Sequence, residues 1–228
     1  MSRARATKGF VRWRWLALAA VSIGGTGIWV MHFIAMLGYD ITGVEITYDL
    51  PTTIISMIIA IVVVGVGLTI VAGRSTVRAL LGGGAITGGG VASMHYMGMS
   101  AMRMAAGVQY RPLIVLASVI IAVVAATAAL WAAMNIRGIF ATIGAALIMG
   151  VAVCGMHYTG MAAMVVYSAP APDSMGMSAN QLLEPLIEGI SLTTIVILFV
   201  VGLAATENDL RQQAEISADL QKLADRQK

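Results

Sequence analysis

Three histidines, the only ones in this 228-residue chain, stand at even intervals: His32, His95 and His157 are 63 and 62 residues apart. That spacing marks an internal repeat. The neighbours repeat with them, as Met31-His32-Phe33-Ile34-Ala35-Met36, Met94-His95-Tyr96-Met97-Gly98-Met99 and Met156-His157-Tyr158-Thr159-Gly160-Met161. A glycine precedes each histidine by seven positions, at Gly25, Gly88 and Gly150. Imidazole beside thioether, with no carboxylate in the motif, is a soft donor set. It suits copper, above all Cu(I), and is the wrong chemistry for calcium or magnesium. Haem is the rival cofactor, because two histidines on different helices would supply both axial ligands.

On a helix, a histidine and the methionine four residues later lie one turn apart on the same face. This pairs His32 with Met36, His95 with Met99 and His157 with Met161, and seven residues on the stripe reaches Met102 and Met164, with Tyr39 in the first copy. Ala35, Gly98 and Gly160 are small enough to let motif helices approach closely. Each motif is expected near the outer end of an outward-running helix, roughly 9–14 Å in from its end. The three histidines would then share one depth. Cys154, three residues before His157, can face the same cluster, although Trp29 and Ala92 hold its place in the other copies. Met175 and Met177 read as outer-loop filler, with copper capture as the alternative, and most other methionines as packing. Ionisable residues inside membrane spans are functional candidates by default.

The elements that must position these residues follow from composition. The chain is 59% apolar and 11% charged, with a mean hydropathy of +0.87. An ordinary soluble domain is nearer half apolar and a quarter charged, so a soluble globular enzyme and a disordered scaffold are both excluded. Six apolar stretches, at about 13–38, 52–73, 79–102, 112–134, 139–166 and 182–206, are long enough to span a bilayer. Pro51 and Pro112 stand at helix starts. The reading is an all-α integral membrane fold of six transmembrane helices from three two-helix repeats, at 13–73, 79–134 and 139–206. A basic leader, 1–12, precedes it, and an amphipathic tail, 207–228, follows with Leu210, Ile216, Leu220 and Leu223 loosely on one stripe.

Twelve basic residues, Arg3, Arg5, Lys8, Arg12, Arg14, Arg74, Arg78, Arg137, Arg211, Lys222, Arg226 and Lys228, fall on one side of that topology, and two, Arg103 and Arg111, on the other. The positive-inside rule then makes both termini cytoplasmic. The net charge of +3 is thus spent on topology, and no nucleic-acid partner is expected. Asp40, Glu45, Asp49 and Asp173 fall in the opposite loops, where Arg103 and Arg111 are expected to meet headgroups or the 40–49 loop. A single cysteine excludes an intramolecular disulfide and a cysteine-based zinc site. The glycine runs 82–84 and 88–90 lack the lysine and strand of a phosphate loop. With no nucleophile, base pair or nucleotide motif visible, no catalytic residue is expected.

The words Met156-His157-Tyr158-Thr159, Met94-His95-Tyr96-Met97 and Met31-His32-Phe33-Ile34 resemble the MHYT domain family of bacterial integral membrane sensors, over about residues 11–206. The resemblance implies paired-helix repeats in a bacterial cell membrane and a copper site with three ligand groups: His32 with Met31 and Met36, His95 with Met94 and Met99, and His157 with Met156 and Met161. It implies sensing of a diatomic gas, oxygen, carbon monoxide or nitric oxide. The first copy departs from the family word at Phe33 and Ile34, the second at Met97, and neither departure touches a histidine. Relatives usually carry a seventh span before the first motif helix and often an output domain. Here the signal is expected to pass through an unidentified partner, a homo-oligomer or the tail. Alternatives to a gas or redox sensor are a copper-handling or transport protein, a haem-binding membrane protein and a membrane scaffold without cofactor.

Overall fold

The computed structural model describes residues 9–74, 76–168 and 176–226. Arg3, Arg5, Lys8, Asp173, Met175 and Lys228 lie outside the described residues, as do the side chains after Leu203. Six helices follow in order: α1 (Gly9–Leu37), α2 (Leu50–Gly73), α3 (Val77–Ser100), α4 (Pro112–Asn135), α5 (Ile139–Ala162) and α6 (Ala179–Arg226). Five described helices are long and apolar enough to cross a membrane, α6 through Ala179–Leu203. The helix left out by that measure is α3, which has the same 24-residue length as α2 but is rich in glycine.

Those glycines trade hydropathy for proximity. A Cβ on Gly88 would meet the backbone of Val123 in α4, and one on Gly90 would enter the side chain of Val63 in α2. From the other side, a Cβ on Gly67 of α2 would strike Thr87 of α3. Thus α3 sits in the middle, with α2 and α4 against its two bare faces. Residues Met1–Ile187 form one compact unit and Glu188–Lys228 a second, and the three motifs belong entirely to the first. Helix α6 runs on as one helix from Ala179 to Arg226, past the end of its apolar stretch at Leu203.

Helix starts follow their caps. Asp49 accepts the Thr52 N–H at 2.9 Å at the head of α2, and Thr76 caps α3 through the Ala79 N–H at 3.2 Å. Pro112 opens α4, where its missing N–H costs nothing. Within α1, Val21–Trp29 winds as a π-helix through Gly24, Gly25 and Gly27, with Thr26 donating to the Ser22 carbonyl. Gly24 there lies so close to the Ala60 carbonyl of α2 that a Cβ would not fit.

Two expectations are corrected. The third and fifth helices end at Ser100 and Ala162 rather than at 102 and 166, so Met102 and Met164 lie on strands and not on a continued helical stripe. The fold is mostly helical, as expected, and the second correction is that its loops are not irregular. Five short strands, β1 (Ile46–Tyr48), β2 (Met102–Met104), β3 (Ala106–Tyr110), β4 (Met164–Ser168) and β5 (Met177–Ser178), gather at one end of the bundle. They form an antiparallel β2-β1-β5 sheet, with Tyr48 opposite both Met102 and Met177, and a β3-β4 pair with Tyr110 opposite Met164. Strands of two to five residues are too short for an alternating pattern to show.

The loops stitch successive repeats together. The Asp49 N–H donates to the Ala101 carbonyl at 2.8 Å, and the Arg111 N–H donates to Ala163 at 2.9 Å. In both cases the residue before an outer helix is held to the end of the next motif helix. Arg103 meets Asp49 at 3.5 Å, the loop partner expected of it, in a largely solvated pair. At the opposite end, Leu16, Val64, Leu68, Val71 and Leu130 form an apolar core. The three histidines lie away from this core, near the strand-bearing end.

Candidate metal centre

His32, His95 and His157 each stand five residues before the last residue of their helix, at Leu37, Ser100 and Ala162. At about 1.5 Å per residue that is a common depth of roughly 7.5 Å, shallower than the sequence estimate but shared as expected. The three converge. His32 Nδ1 lies 3.0 Å from His157 Nδ1 and 3.1 Å from His95 Nδ1. The ring centroids form a nearly equilateral triangle of 4.9, 5.1 and 5.0 Å, with the planes 71–85° apart. All three side chains are buried, at 1% exposure or less.

Each ring is braced from behind. Phe33, Tyr96 and Tyr158, the residues immediately after the histidines, all lie edge-on to their own histidine at 5.0 Å. Tyr96 bonds Ser118 Oγ of α4 at 2.7 Å; Ser118 already gives its own hydrogen to the Val115 carbonyl, so the tyrosine donates. Phe33 has no hydroxyl, and here the first repeat departs from the other two. Trp29, one turn earlier, sends its Nε1–H to Ser56 Oγ at 2.9 Å, and Ser56 in turn bonds the Thr53 carbonyl. Ser56 and Ser118 are 62 residues apart and both fully buried, so one polar contact has been kept by two different aromatic residues. Sequence inspection passed over both serines; their one-repeat spacing was the available signal.

Two short Nδ1–Nδ1 contacts need an electrophile between their lone pairs. A proton on one ring serves, or a cation facing all three. The Nδ1 separations are close to the roughly 3.3 Å between nitrogens that share a tetrahedral ion at about 2.0 Å from each. The Nε2 atoms of all three rings are buried and have no hydrogen-bond partner. Two of them face glycine: a Cβ on Gly98 would collide with His32 Nε2, and one on Gly160 with His95 Nε2. The small residues of the motif therefore do let neighbours approach closely, and the neighbour is an imidazole. The histidines are the only group of His, Cys, Asp or Glu among the described residues placed to share a metal ion.

The remaining sequence candidates are distributed around the triad. Met36, Met94, Met99 and Met156 are buried, and Met31 and Met161 half-buried. Met36, Met99 and Met161 fall one turn beyond the histidines toward the strands, on the same helix face. Met31, one residue before its histidine and so about 100° round the helix, lines a groove of about 910 Å³ between α1, α4 and α5. Cys154 lines the same groove and is not part of the histidine group. Met156 borders an apolar cavity of about 80 Å³ with Leu68, Val91 and Ala122. Tyr48 closes the strand side, fully buried, its hydroxyl donating to the Met36 carbonyl at 2.9 Å.

Three helix pairs, each sending one histidine to a buried centre, define a triply repeated helical membrane domain. The chain belongs to the MHYT family, whose description, "Bacterial signalling protein N terminal repeat", matches residues 25–84, 88–146 and 150–218. It is 36% identical over 92% of its length to the bifunctional diguanylate cyclase/cyclic di-GMP phosphodiesterase MucR of Pseudomonas aeruginosa, covering 31% of that protein. It is 35% identical over 74% of its length to the cyclic di-GMP phosphodiesterase NbdA of the same organism, covering 22% of it. A signalling protein of Caulobacter vibrioides is 33% identical over 93% of the chain, which covers 26% of that relative. The chain thus spans less than a third of the length of each of these curated relatives. No solved structure matches it.

Proposed function

We propose that this domain is a membrane sensor in which His32, His95 and His157 hold one copper ion through Nδ1, and that a diatomic gas or a redox change at that ion is the signal. The observation that carries this reading is the convergence of three Nδ1 atoms, 3.0 and 3.1 Å apart for the two closest pairs, inside a buried shell. The donor set favours a singly charged ion. Three neutral imidazoles bring no negative charge, no acidic residue joins them among the described residues, and burying a dication without a counter-charge costs far more than burying a monocation. Copper held there supplies a redox-active, gas-binding centre. The chain's own part is to exclude water, with Tyr48 across the strand side, and to fix the imidazoles with Phe33, Tyr96 and Tyr158. Met36, Met99 and Met161 are the sulfurs placed to complete the site; Met31 and Met156 border cavities, which favours packing for them.

Rings with centroids 4.9–5.1 Å apart leave no room for a macrocycle between them, which favours copper over haem. A transport route needs ligands at several depths, whereas the histidines share one, which favours a fixed site. The relatives named for cyclic di-GMP turnover support delivery of the signal to a module of that kind, with both termini on the cytoplasmic side. Metal analysis of the protein purified in mild detergent, with an optical spectrum, tests the reading. About one copper per chain and no Soret band is the expected result; zinc, haem or no metal would overturn it.

A further inference from the structure

Two of the three imidazoles of the triad rest on a glycine from the next repeat. His32, on α1, puts its Nε2, Cδ2 and Cε1 edge against Gly98 of α3, and His95, on α3, puts the same edge against Gly160 of α5. Both glycines are buried and stand three residues after the histidine of their own helix. Both edges carry a buried nitrogen with no hydrogen-bond partner, so nothing polar holds them. Shape alone is left to do so. A ring whose Nε2 side is laid on a bare Cα must turn its Nδ1 to the centre, and the short Nδ1 contacts are the result. The repeat puts Ala35 in the third position, where a methyl group is already present.

We propose that Gly98 and Gly160 are positioning residues for His32 and His95 respectively, each selecting the Nδ1-inward orientation of the histidine one repeat earlier. The inference deepens the metal reading and rests on it for purpose, but its geometry holds with or without an ion. A methyl group at either glycine would lift one particular ring and leave the helix that carries the methyl intact. Gly155 provides the control, since it lies on α5 with open space around its Cβ position.

The test uses the full chain in detergent with 15N-labelled histidine, each ring signal assigned by single histidine substitutions. In the metal-free protein, Gly98→Ala should displace chiefly the His32 signals and Gly160→Ala chiefly those of His95, while Gly155→Ala moves none. Copper affinity, read by chelator competition, should fall at least tenfold in the first two variants and stay unchanged in the third. Ala35→Gly, which adds room, should retain copper. If the wild type takes no copper, the metal reading fails and the ring signals still decide the pairing. Folded Gly98→Ala and Gly160→Ala proteins whose shifts do not follow that pairing would overturn the proposal. If either variant fails to fold, the other and the matching serine variant carry the same reading.

Discussion

His32 Nδ1 stands 3.0 Å from His157 Nδ1 although 125 residues of chain separate the two. Nothing local brings them together; α1 and α5 meet because α3 lies between their partners and offers each a bare surface. The contact therefore reports the assembly of the whole repeat set, and loss of either ring should be felt at both.

The ligand set separates by substitution. His95→Ala removes a directional donor and should abolish most copper retention. Met99→Leu keeps volume and apolarity while deleting the sulfur, so it should weaken binding less. Met57→Leu on α2, outside the motif, should do nothing. Copper per folded chain, measured by mass spectrometry after gel filtration, checks the order. Full occupancy in both His95→Ala and Met99→Leu would sink the assignment.

The buried serines predict a stability effect with its own control. Ser118→Ala leaves the Tyr96 hydroxyl unsatisfied, at a cost of about 1–3 kcal/mol. Adding Tyr96→Phe removes the stranded hydroxyl and should recover part of that loss. Equilibrium unfolding in mixed micelles measures both. A double variant as unstable as the sum of the singles would mean the two groups do not interact.

The carboxyl of Asp49 is held below the ordinary carboxylate range, chiefly by the Thr52 hydroxyl and then the Thr52 N–H. A depressed carboxyl stabilises the fold above its unfolded value and loses that contribution as pH falls through the folded one. The N-cap of α2 should therefore be insensitive to pH near neutrality and weaken only in acid, below about pH 4. Melting curves against pH in detergent should show a shallower acid limb in Asp49→Asn. Superimposable limbs would remove Asp49 from the acid response.

Topology is open to a direct reading. Reporter fusions after Lys228 should read cytoplasmic, and fusions within 169–178 external, as the distribution of basic residues requires. A cytoplasmic reading for that loop would overturn the orientation.

The convergence of the histidines was legible because residue type and spacing are preserved in three copies; a common depth then follows from helix rise alone. Which nitrogen faces inward was not legible, since it depends on ring edges meeting Gly98 and Gly160 across repeats. The division of the methionines also needed coordinates, because Met31 and Met36 stand on different helix faces although they belong to one word. The helical pattern concealed the π-wound stretch at Val21–Trp29 and the short strands that end α3 and α5, since both are decided by neighbours. Phe33 read as a plain departure from the motif, yet Trp29 reaching Ser56 preserves the contact that Tyr96 makes with Ser118.

That the third imidazole lies on α5 has a consequence for biosynthesis. A ribosome must have delivered four helices to the membrane, and released most of the fifth, before the three histidines can meet. On the copper reading proposed above, metallation would be a late event acting on a nearly complete domain, and the ion would have no part in inserting the first helix pair.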